Sequence, residues 1–121
     1  MKKILIVDDE EKVRKLVEVT LSVGKLEILH ASSGDEAVKK AREAKPDIIL
    51  LDIMMPGRLD GYDVCRLLKK DPDTQGIYII MLTAKGQKAD KERGLALGAD
   101  DYFVKPFSPM ELMDKIDNIL A

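Results

Sequence analysis

Residues 46–57 read Pro46-Asp47-Ile48-Ile49-Leu50-Leu51-Asp52-Ile53-Met54-Met55-Pro56-Gly57. The apolar run from Ile48 to Leu51 does not alternate with polar residues and is bounded by an acid on each side. An unbroken run of that length suits a strand covered on both faces, as in a parallel sheet between two helix layers. Asp52 then stands at the carboxyl end of a central strand.

Outward from this stretch the same signal recurs. Lys3 to Val7 and Ile77 to Leu82 are further continuous apolar runs, Leu26 to Leu29 is a weaker one, and Asp101 to Val104 precedes Lys105-Pro106. Between them lie helical patterns. Val13, Leu16, Val17 and Leu21 share one face of a first helix that stops at Gly24. Ser33 to Glu36 and Ser108 to Glu111 each match a capping box, with Pro109 in a tolerated first-turn position, and predict the starts of helices two and five. The third helix, from about Gly61, carries Val64, Leu67 and Leu68; the fifth carries Leu112, Met113, Ile116, Ile119 and Leu120. Lys88 to Leu97 is polar until Leu95 and contains Gly94, so its apolar stripe is poor and its helix is expected to be weakly held. Five strand–helix alternations predict an α/β, doubly wound, five-stranded parallel sheet with five helices.

Ligand chemistry in such sheets gathers at the carboxyl ends of the strands. Asp8-Asp9, followed by Glu10-Glu11, ends the first strand; Asp52 ends the third; Thr83 ends the fourth; Lys105 ends the fifth. Carboxylates converging there repel one another unless a cation offsets them. An all-oxygen set favours Mg²⁺ or Mn²⁺ over Zn²⁺. A carboxylate beside such an ion is a competent nucleophile toward a phosphoryl group. Lys105, the Thr83 hydroxyl and the Ala84 amide would supply donors to its equatorial oxygens. No strong general base accompanies them, so hydrolysis of the resulting acyl phosphate is expected to be slow.

The bulk numbers exclude other classes. The 121 residues fit one domain over 1–121, and 45% apolar with 35% charged residues argues against disorder. A net charge of −2 gives no reason to bind nucleic acid directly. No apolar stretch approaches the roughly 20 residues of a membrane span. The start lacks a secretory apolar core and Cys65 is the only cysteine, so a cytoplasmic location is expected.

ILIVDDE, PDIILLDIMMPG, IIMLTAK and GADDYFVKPF together strongly resemble the receiver domains of bacterial two-component response regulators, over essentially the whole chain and in the manner of the stand-alone chemotaxis type. The resemblance implies a flavodoxin-like strand order 2-1-3-4-5. It also implies phosphorylation of Asp52, direct metal ligation by Asp9, ligation through water by Asp8, and a third protein ligand in the Met54 carbonyl. Lys105 would pair with the phosphate, and its peptide bond to Pro106 would be cis. Thr83 and Tyr102 would form a switch that reshapes the face of helix four, strand five and helix five. The implied donor is a sensor histidine kinase or phosphotransfer protein, docking on helix one and the loop at Phe107; the implied assembly is a monomer or a phosphorylation-dependent dimer. Two features depart from or vary within the pattern: four residues, Gly57 to Asp60, separate Pro56 from Gly61 where three are usual, and Met54 and Lys85 occupy positions that tune dephosphorylation.

Simpler readings stand beside these. Asp8-Asp9 alone is more often a solvated turn or cap; its coincidence with Asp52, Thr83 and Lys105 at four strand ends favours the site. His30, Cys65, Tyr62 and Tyr78 read as packing residues, and Lys85, Lys88, Lys91 and Arg93, interleaved with Asp90 and Glu92, as a solvated face. An aspartyl-phosphate phosphatase would commonly place a second acid two residues after the nucleophile, where Met54 stands. A nucleotide carrier would want a Gly-rich loop after strand one, where the acids would repel phosphate.

Overall fold

In the computed structural model, which describes residues 2–22, 25–84, 88–105 and 108–120, ten elements alternate along the chain. They are β1 (Lys2–Val7), α1 (Glu11–Leu21), β2 (Leu26–Ala31), α2 (Gly34–Ala44), β3 (Ile48–Asp52), α3 (Gly61–Lys70), β4 (Tyr78–Ala84), α4 (Lys88–Ala96), β5 (Asp101–Lys105) and α5 (Pro109–Leu120). The sheet is parallel throughout, in the order β2-β1-β3-β4-β5. Fold class and strand order match the sequence reading. Gly24, Lys85, Pro106 with its peptide bond, and Phe107 lie outside the described residues.

The period of two along each strand divides the core. Leu5, Val7, Ile49 and Leu51 join Ala37, Val38 and Ala41 of α2 and Val64, Cys65 and Leu68 of α3 on one face. Ile4, Ile6, Ile48 and Leu50 join Val17 and Leu21 of α1 and Leu112 and Ile116 of α5 on the other. All five residues of β3 are buried, as a central strand with two covered faces requires.

The first helix departs from its expected stripe. Val17 and Leu21 are buried, four residues apart, but Leu16 is 54% exposed. At 100° per residue a stripe built on 17 and 21 turns position 16 to the helix flank. α4 holds to the sheet through little apolar surface. Gly94 lets it approach the Met81 side chain so closely that a Cβ there would lie 3.2 Å from Met81 Cγ, and the Arg93 guanidinium lies 4.1 Å from the centroid of the Tyr62 ring. Arg93, expected on a solvated face, is thus exposed but stacked.

Helix starts follow the capping reading in part. Ser33 accepts from the Glu36 amide at 3.2 Å, while Glu36 reaches the Ser32 amide instead of that of Ser33. The Glu111 amide lies 3.4 Å from Ser108 Oγ. The reciprocal box belongs to α3, where Asp60 accepts from the Asp63 amide and Asp63 from the Asp60 amide. Its bond from the Asp60 amide also holds the half-buried Asp63 carboxyl below the usual carboxylate range. Asp60 thus fixes the start of α3 at Gly61, and the loop before it includes Gly57 at φ 103°, Leu59 against Gly34, and the Arg58–Asp35 ion pair.

Gly61 sits where the loop crosses the end of β3. A Cβ there would meet the Asp52 carbonyl oxygen at 2.3 Å and the Ile53 Cα at 2.7 Å. At Gly76 nothing lies within 4 Å. Gly61→Ala is therefore expected to cost about 2 kcal/mol or more, because backbone must shift to admit a methyl, whereas Gly76→Ala stays within about 0.5 kcal/mol of the parent. Urea midpoints decide this; equal midpoints for the two variants would refute the close-contact argument.

Candidate functional site

The sheet order reverses between β1 and β3, and the carboxyl ends of these neighbouring strands carry Asp8 and Asp52. Val7 pairs with Leu51 in the ladder, so the residues that follow them emerge side by side. Asp8 is fully buried and Asp52 is 6% exposed, while Asp9 is exposed. Each of the three offers a carboxylate oxygen, and these oxygens all lie within 4.8 Å of one another.

Two backbone amides and one lysine hold this arrangement. Asp8 Oδ1 accepts from the Glu10 amide at 2.9 Å, and Asp52 Oδ1 from the Met54 amide at 3.3 Å. Lys105, the last residue of β5, reaches over the end of β4 to bring its Nζ within 2.9 Å of Asp8 Oδ2 and 3.4 Å of Asp52 Oδ1. Burial, then the neighbouring Asp8 charge, push the Asp52 carboxyl up to about 6, although Lys105 and the Met54 amide pull it the other way. Burial pulls the Lys105 ammonium down, but its hydrogen bond to Asp8 and the charges of Asp52 and Asp8 outweigh this and hold it above the ordinary lysine value.

The other sequence-predicted residues border this cluster. Thr83 is buried in β4, and its hydroxyl donates to the Phe103 carbonyl at 3.4 Å. Ala84 closes β4 opposite Lys105 in the ladder. Met54 turns its side chain to solvent, at 75% exposure. Tyr102 is half-buried and packs against the α2–α3 side of the sheet. His30 lies on the edge strand β2, hydrogen-bonded to Glu18 at 2.8 Å, and Cys65 is buried with its thiol pushed up to about 11 by desolvation.

Arg14 is a neighbour that the sequence reading passed over. Its Nη1 donates to the Asp8 carbonyl at 2.5 Å from the second turn of α1. Six residues of separation concealed it, because capping templates look only three residues ahead.

The donor set suits a hard divalent cation: three clustered carboxylates, oxygen donors only, and one lysine charge to offset them. Two grooves of about 710 and 560 Å³ lie elsewhere, between α5 and strands β4–β5 and between α2 and α3.

Comparison with known proteins agrees with this geometry. The family model for the response regulator receiver domain matches residues 4–117. A probable transcriptional regulator, ycf27, of Guillardia theta is 52% identical over 118 residues, covering 98% of this chain and 45% of the relative. This chain spans just under half the length of the curated relatives it matches. The crystal structure of a putative response regulator from Chloroflexus aurantiacus superposes with a TM-score of 0.92 at 39% identity, covering 98% of this chain and 97% of that one. Chemotaxis protein CheY4 of Vibrio cholerae does so with a TM-score of 0.90 at 33% identity, covering 98% of each. Single-domain and longer regulators alike carry this unit, and the chain belongs to the response regulator receiver domain family, the phosphoacceptor modules of two-component signalling.

Proposed function

We propose that Asp52 is the phosphoacceptor, that residues 1–121 act as one receiver unit, and that the phosphorylated form signals through the α4–β5–α5 surface. The observation that carries this is the buried Asp52 carboxylate beside Asp8, with Lys105 spanning both.

An Asp52 oxygen attacks the phosphorus of a phosphohistidine on a sensor kinase or phosphotransfer protein. The P–N bond breaks and the imidazole leaves with the electron pair, taking up a proton. Asp9, Asp52, the Met54 carbonyl and, through water, Asp8 would hold Mg²⁺ or Mn²⁺, which would offset the repulsion between the acids and the incoming phosphoryl oxygens. Lys105 exchanges Asp52 for a phosphoryl oxygen, and the Ala84 amide and Thr83 hydroxyl bind the others. Thr83 gives up only a long bond to Phe103, and Tyr102 follows it inward. The unit promotes its own phosphorylation and slow dephosphorylation without turning over a substrate.

Among the described residues no helix is long and apolar enough to cross a membrane. A cytoplasmic module fits this, monomeric or dimerising when phosphorylated, with no nucleic-acid contact of its own at a net charge of −2. Any DNA reading would belong to a partner or to a further domain like those of the longer transcriptional regulators.

Acetyl phosphate with Mg²⁺ is expected to add one phosphoryl group to the parent chain and none to Asp52→Asn, read by intact mass; an unmodified parent would sink the assignment. Beryllofluoride with Mg²⁺ is expected to shift amide resonances of α4, β5 and α5 beyond those of the rest of the sheet. A uniform, small response would count against that surface as the output.

The folded-state value of about 6 for Asp52 lies above the ordinary 3.8, so in metal-free protein its ionised form opposes folding. The penalty is full above pH 6, shrinks as pH falls through 6, and vanishes below about 4. Asp52→Asn is expected to raise metal-free stability at pH 8 by about 1–2 kcal/mol after allowance for solvent screening, and not at pH 4. Denaturation in chelator at the two pH values tests this; an equal gain at both would contradict it.

A further inference from the structure

We propose that Arg14 is a positioning residue for the metal ligands: it fixes the Asp8–Asp9 peptide and so sets the aim of both carboxylates. This rests on the reading of Asp8, Asp9 and Asp52 as a divalent-cation site.

Arg14 Nη1 donates to the carbonyl oxygen of Asp8 at 2.5 Å. That carbonyl belongs to the peptide joining the two acids, so the bond holds the one plane whose rotation would swing Asp9 relative to Asp8. The other contacts of Asp8 act elsewhere or on the other side of the turn. Its amide donates to Ala31 and fixes the strand before the turn. Its carboxylate is taken by Lys105 and by the Glu10 amide, the latter closing a turn across the same peptide from the side-chain side, so Arg14 is the side chain that holds the carbonyl.

The placement of Arg14 is unfavourable on local grounds. A cation near the start of a helix faces the positive end of the macrodipole. Its Nε is buried with no protein partner among the described residues, an arrangement that costs free energy unless it serves something. Glu10, at the N-cap of α1, makes no side-chain capping bond; its amide turns back to the Asp8 carboxylate, which leaves the Asp8 carbonyl to be fastened by another residue. Arg14 supplies that fastening, and its charge lies against the backbone of a buried carboxylate. Outer residues that orient metal ligands typically contribute about 10- to 100-fold to affinity.

The test is calorimetric titration of the full chain with Mn²⁺. Arg14→Gln is expected to weaken binding about tenfold and Arg14→Lys, which keeps a charged donor, to recover most of it. At saturating Mn²⁺ the acetyl phosphate rate of Arg14→Gln is expected to return to within about twofold of the parent, which a misfolded variant would not do. A second measurement needs no variant: Mg²⁺ added to the parent should shift the Arg14 Nε–Hε resonance with the same half-saturation as a calorimetric titration of the parent with Mg²⁺. Parent-like Mn²⁺ affinity in Arg14→Gln, or an Arg14 resonance unmoved by Mg²⁺, overturns the role of Arg14 while leaving the metal site intact. A parent that takes up no Mn²⁺ overturns the metal site, and this inference with it.

Discussion

Two carboxylates that neighbouring strands force together, Asp8 and Asp52, share one lysine at 2.9 and 3.4 Å, and the rest of the site answers to that crowding. Both are buried, where water cannot screen them. Removing like charges from water side by side is among the costlier arrangements a small domain tolerates. The offset is incomplete, because burial and the charge of Asp8 still leave Asp52 at about 6. A bound cation would relieve that condition.

The fold supports this strain from beneath. The β3 backbone is walled on both sides by apolar layers, so the end of the strand has little freedom to retreat from β1. The chain leaving Asp52 then crosses back so closely that only glycine fits at position 61, against the Asp52 carbonyl itself. The Asp60–Asp63 box locks the helix that begins there. Core packing, a glycine contact and a helix cap thus fix the same carboxylate, each through a different part of the sequence. The loop between Pro56 and Gly61 is held ahead of that cap, by Leu59 against Gly34 and the Arg58–Asp35 ion pair.

The strands and the acids were legible because their signals are local. Ile48 to Leu51 is an unbroken apolar run, and the residue after such a run must lie at a strand end. Lys105 was placed correctly for the same reason, although its reach over β4 is a property of three dimensions. Leu16 was misplaced because a stripe of Val13, Leu16, Val17 and Leu21 is wider than the face that α1 buries, and periodicity alone does not say which edge faces solvent. The α3 cap went unread because aspartate replaces both the serine and the glutamate of the usual box. Arg14 went unread because a side chain that bonds a backbone carbonyl six residues earlier follows no sequence template. The direction of the Thr83 hydroxyl likewise depends on where β5 puts the Phe103 carbonyl, which one strand's sequence does not specify.

The contrast between the two ends of the molecule's chemistry gives the proposed switch its physical basis. Around Asp52 almost every group is held by a neighbour: the carboxylates by amides and Lys105, the backbone by Gly61. Around α4 the described contacts include Gly94 over Met81 and a stacked cation, Arg93 over Tyr62, while Leu95 is left exposed. In the proposed mechanism the change of charge at Asp52 moves Lys105 and Thr83 and is passed along β4 and β5, whose buried Thr83 and half-buried Tyr102 stand between the acids and α4. Few-contact elements open at the smallest free-energy cost, so the displacement should collect at α4. In the proposed mechanism, signalling follows from this gradient in packing, with the stiff end supplying the force and the weak end showing it.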